Sequence, residues 1–138
     1  MVKFNGYIWA GLFVYDFEKE IAFYRDQVGL PFLRQGNEYA FFDAGNGDLF
    51  ELWPNGVLSK PAKTPAQQSL RVSFHVDNLK DAVAELTKRG VTFVGGGDED
   101  GTQWAIFVDP EGNLLEMKQL TPTPAPKPKP TPKPTRAR

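Results

Sequence analysis

The chain has no cysteine and a single histidine among its 138 residues. Without thiols it offers no disulfide, no thiolate metal site and no cysteine nucleophile, a composition compatible with a reducing cytoplasm. With His75 as the sole imidazole, and no elbow motif around any serine, a Ser-His-Asp triad is not supported. No apolar run approaches the roughly 20 residues a membrane helix needs, and Met1 to Asn5 lack a signal-peptide core, so a cytoplasmic protein with no membrane partner is expected. Acid is scarce in one place only. Residues 121–138 hold five basic side chains and no acidic one, which leaves 11 basic against 17 acidic side chains in residues 1–120, about −6. A domain of that charge repels a polyanion, so no nucleic-acid partner is expected.

What is present divides at residue 120. The segment 121–138 carries seven of the twelve prolines, in Pro-Lys-Pro and Thr-Pro alternation. Prolines at every second position remove amide donors and fix φ, so neither helix nor ladder can form, and a disordered basic tail is expected there. Residues 1–120 suffice for one well-buried core and are too few for two independent domains.

Within them the chain repeats itself at an offset of about 62 residues. Trp9 to Phe17 falls on Arg71 to Leu79, each an alternating strand ending at a helix-capping Asp16 or Asn78. The apolar stripe Phe17, Ile21, Tyr24, Val28 recurs as Leu79, Val83, Leu86, and Gly29 and Gly90 stop the two helices. Three further strands are expected after each helix: 32–35, 38–44 and 48–53, then 92–94, 102–108 and 113–118. Turn chemistry in Ala44 to Asp48 and in Asp109 to Asn113 makes hairpins of the last two strands of each copy. The fold class expected is α+β, two βαβββ modules whose curled mixed sheets surround a cavity. Module one runs from about 5 to 54, a linker from 55 to 69, and module two from 70 to 120. The run Gly95-Gly96-Gly97 precedes acids rather than a helix, and is expected to be a mobile loop and not a phosphate cradle.

These residues resemble a known family. Val14 to Asp16, Ala22 to Asp26 and Gly29 to Pro31 look like the first-helix signature of the vicinal-oxygen-chelate (glyoxalase/bleomycin-resistance) proteins. Phe50 to Trp53 looks like their fourth strand, and Phe107 to Glu116 like their closing hairpin. The family includes lyases, isomerases, ring-cleaving dioxygenases and drug-sequestering proteins, so the resemblance speaks for fold more than for substrate. In its metal-using members four ligands, commonly His and Glu, stand at positions that match Trp9, Glu51, Arg71 and Glu116. Both carboxylates remain and both imidazoles are gone. Arg71 stays protonated and would put a fixed positive charge where a cation should sit. It is expected instead to span Glu51 and Glu116 through its planar fork. His75 lies four residues further along the strand, roughly 13 Å away, outside that shell.

Strand alternation sets Tyr7, Trp9 and Phe13 on one face and the aliphatic residues between them on the other. With Trp53, Arg71, Ser73, Trp104 and Glu116 they form the expected ligand-binding set, an aromatic-lined pocket with a few polar groups. The expectation is a metal-independent small-molecule binding protein, needing no cofactor, that holds an apolar or aromatic ligand. The resemblance adds a homodimer, since cavities in this family are often completed across subunits. The alternative is a lyase, isomerase or dioxygenase-like enzyme using Glu51 or Glu116 as a base with Arg71 stabilising an anion, with or without a divalent metal.

Overall fold

The computed structural model describes residues 1–58 and 63–120. The basic tail expected over 121–138 and part of the linker lie outside them. Two βαβββ modules follow one another. In the first, strand β1 (Trp9–Phe13) leads into helix α1 (Phe17–Ala22), which continues without a break as a π-helical segment (Phe23–Val28). Strands β2 (Phe32–Gln35), β3 (Ala40–Gly45) and β4 (Asp48–Trp53) complete it. After a short 3₁₀ turn (Pro65–Gln67), the second module repeats the plan with β5 (Ser73–His75), α2 (Leu79–Lys88), β6 (Thr92–Glu99), β7 (Thr102–Val108) and β8 (Leu114–Gln119). Each module forms a four-stranded mixed sheet, ordered β1-β4-β3-β2 and β5-β8-β7-β6. The first strand of each copy pairs parallel with the last and forms one edge.

Local chemistry sets the boundaries. Asp16 caps α1 by accepting from the Lys19 amide at 3.2 Å, and Asn78 caps α2 by accepting from Asp81 at 2.9 Å. The first helical stretch ends at Gly29, with φ of 80°, a left-handed residue that glycine occupies without steric cost. Asn46-Gly47 and Asp100-Gly101 take positive φ in pairs, the two-residue turn whose twist suits a hairpin.

One expectation is corrected here. Gly95, Gly96 and Gly97 are not a loop: they lie inside β6 and pair with Ile106, Ala105 and Trp104 of β7. A Cβ on Gly97 would stand 2.6 Å from the Trp104 ring, so the glycines make room for an indole laid across the strand. The ring supplies the cover that glycine lacks, and the Asp100-Gly101 turn fixes the register.

A single core joins the modules. Ile21, Tyr24, Phe42, Phe50 and Leu52 of the first pack in one cluster with Leu79, Leu86, Phe107, Leu115 and Met117 of the second. Phe50 and Phe74 meet edge to face across the junction at 5.4 Å. The turn Asp109 to Asn113 adds polar bonds to this contact. The Glu111 carboxylate accepts from the amides of Tyr15 and Asp16 at 2.7–3.0 Å, just ahead of α1. Tyr24, completely buried, donates its hydroxyl to Asp109 at 3.0 Å. Burial first, then the Asp109 and Glu20 carboxyls, hold the Tyr24 phenol well above its usual range, so it stays a donor.

Candidate ligand-binding site

Because core residues occupy one face of each sheet, residues of opposite parity occupy the face turned away from the core. On sheet one that face carries a row across four strands, Gly11, Glu51, Phe41 and Arg34, in register. Gly11 has no room for a side chain, since a Cβ there would run into the Glu51 backbone carbonyl. Trp53 lies in the next row, beside Phe13, and its ring stands 6.2 Å from Trp9, 6.5 Å from Phe13 and 6.5 Å from Tyr39. The result is an aromatic strip whose outer members stay open to solvent, Trp9 at 39% and Phe13 at 66% of full exposure. Beneath the strip Glu51 is fully buried and accepts the Trp53 indole N–H at 3.2 Å. Tyr7 precedes β1, exposed, and so falls outside the strand alternation that was to place it.

On sheet two the corresponding face carries Ser73 beside Glu116, with Trp104 beside Lys118. Glu116 is nearly buried and meets two cations: Arg71 Nη1 at 3.6 Å from Oε2, and Lys118 Nζ at 3.3 Å from Oε1. A cleft of about 410 Å³ opens beside it, lined by Glu99, Asp100, Thr102, Trp104, Glu116 and Lys118. His75 is exposed on β5.

The expected residues are therefore shared between two faces. Trp9, Phe13, Trp53 and Glu51 belong to sheet one, and Arg71, Ser73, Trp104 and Glu116 to sheet two. The acid that Arg71 reaches is Glu116, while Glu51 takes the indole, so one guanidinium across two carboxylates is replaced by one arrangement per sheet. Glu99, Asp100, Thr102 and Lys118 were missed as cleft residues. The Asp100-Gly101 pair between two strand patterns was the available signal, because a two-residue hairpin would have carried those neighbours to the rim.

The profile of the Glyoxalase/Bleomycin resistance protein/Dioxygenase superfamily matches residues 6–117. The chain belongs to that superfamily. The Bacillus subtilis (strain 168) protein YraH is 30% identical over 122 residues, covering 79% of this chain and 94% of its own. Among solved structures of the glyoxalase/bleomycin-resistance fold, the antibiotic binding protein TnmS3 from Streptomyces sp. CB03234 superposes with a TM-score of 0.67 at 23% identity. The match covers 88% of this chain and all of that one. A glyoxalase/bleomycin resistance protein/dioxygenase from Nocardioides does so with a TM-score of 0.67 at 20% identity, over 93% and 91%.

The four positions matched to the ligands of metal-using superfamily members do not hold that donor set here. An indole and a guanidinium stand at two of the four matched positions, Trp9 and Arg71, and neither can ligate a cation. Of the two acids, Glu51 is capped by Trp53, and Glu116 already lies against two positive side chains. Among the described residues no three His, Cys, Asp or Glu side chains are grouped to hold a metal. No helix among them is long and apolar enough to cross a membrane.

Proposed function

We propose that this superfamily member is a metal-independent small-molecule binding protein that holds a flat apolar or aromatic ligand. The observation that carries the reading is Arg71 beside Glu116: a permanent cation occupies the side of the carboxylate that a metal would need, and Lys118 occupies the other oxygen. Open ring surface on sheet one, and an indole at the wall of the cleft on sheet two, supply the stacking area such a ligand requires. The description of TnmS3 as antibiotic binding fits the same use of the fold.

A homodimer belongs to this reading. Trp9 and Phe13 expose apolar surface along β1, an edge strand, with Ile8 just ahead of it, and a second copy laid on that edge would cover it and enclose the ligand. A cytoplasmic location is part of the same proposal. Titration of tryptophan fluorescence with a panel of planar aromatics tests the binding, with Trp9→Ala as comparison. Saturable quenching weakened by the substitution is expected, and a flat response across the panel refutes it. Calorimetry with Ni²⁺, Zn²⁺, Mn²⁺ and Fe²⁺ tests the metal independence, which tight stoichiometric uptake overturns. Native mass spectrometry showing only monomer at micromolar concentration removes the dimer.

A further inference from the structure

The aromatic face of sheet one carries, at its β2 edge, a guanidinium with no ion-pair partner among the described residues. Arg34, exposed on β2, holds its guanidinium carbon 5.0 Å from the Phe41 ring centroid and 5.9 Å from that of Tyr39. The other arginines among the described residues, Arg25, Arg71 and Arg89, each hold a carboxylate. Arg34 pairs with none, in a domain where acids outnumber bases. A guanidinium resting against ring faces keeps its N–H edge free, and that edge is the fork which matches a carboxylate with two parallel hydrogen bonds. From Tyr39 the rings continue to Trp53 at 6.5 Å and on to Trp9 at 6.2 Å, a strip wide enough for one or two fused rings.

We propose that this face selects flat aromatic acids, with the ring of the ligand against Trp53 and Tyr39 and its carboxylate on the Arg34 guanidinium. The inference rests on the small-molecule reading above and narrows it to one ligand class. It also assigns Arg34, outside the four superfamily positions, as the residue that sets the charge preference. Stacking is blind to charge, so the rings alone would take neutral and anionic compounds equally. A charge-assisted fork adds discrimination of about tenfold or more.

The test is a fluorescence titration of the full chain with 2-naphthoate and with 2-naphthamide, which share a ring system and differ in charge. The acid should bind at least about tenfold more tightly. Arg34→Gln should cost the acid most of that advantage and the amide far less, while Arg34→Lys, which keeps the charge and loses the fork, should fall between. Circular dichroism of both variants establishes that they fold. Equal affinity for acid and amide, or full affinity for the acid in Arg34→Gln, overturns the assignment of Arg34 and leaves the broader binding reading standing. Binding of neither compound overturns both.

Discussion

Glu20 should make the protein less stable as pH rises across the neutral range, and a single isosteric change should remove the effect. Its side chain is completely buried between the modules, and neither carboxyl oxygen has a hydrogen-bond partner of good geometry. Burial foremost, then the neighbouring Asp109 charge, pushes its pKa from 4.5 up to about 10. Asp109 beside it accepts from the Glu111 and Asn113 amides, the Asn113 side chain and the Tyr24 hydroxyl. A carboxyl with a raised folded pKa binds more protons folded than unfolded. Stability is therefore undiminished below pH 4.5 and falls by about 1.4 kcal/mol for each unit from there to about pH 10. At pH 7 the accumulated cost is about 3 kcal/mol, a large share of the 5–15 kcal/mol typical of a domain. Glu20→Gln keeps the shape and a donor toward Asp109 but cannot ionise. Urea unfolding followed by circular dichroism at pH 5, 6, 7 and 8 should show the variant gaining on the parent by up to about 4 kcal/mol over those three units. Parallel pH profiles for the two proteins would refute a protonated Glu20.

Other expectations follow from the same junction and from the cleft. Phe50→Ala, which removes the ring shared by Tyr24, Phe42 and Phe74, should cost about 3–5 kcal/mol in urea unfolding. Glu111→Ala should cost about 1 kcal/mol, because the Tyr15 and Asp16 amides lose their acceptor to water, and amide exchange should quicken at those two residues. Gly97→Ala should push the Trp104 indole off β6, shifting its emission to the red and lowering the melting temperature; an unchanged spectrum would mean the ring is not laid on the strand.

Much of the fold was legible because it is written in local periodicity. Asp16, Asn78, Gly29 and Gly90 cap and stop their helices as read, and β2, β4 and β7 begin and end at the expected residues. β6 was read too short because strand propensity counts three successive glycines as a break, whereas the tertiary contact with Trp104 makes them acceptable. The π-helical turn after Ala22 left no trace in the sequence, since it keeps Tyr24 and Val28 on the buried stripe. The site was legible one face at a time. Alternation tells which residues share a side of a strand, and so set Trp9 with Phe13, but it says nothing of how two sheets are set against a common core. That arrangement is fixed by contacts such as Phe50 with Phe74 and Tyr24 with Asp109, between residues 24 and 85 positions apart in sequence.

The joint between the two copies is also one-sided. The hairpin turn of the second copy grips the amides leading into α1 with Glu111, where the equivalent position of the first-copy turn is Asn46, and the amide opening α2 is met by Gln119 of its own module. A tandem of two first halves would therefore lack the clasp altogether, and two second halves would offer it no matching partner.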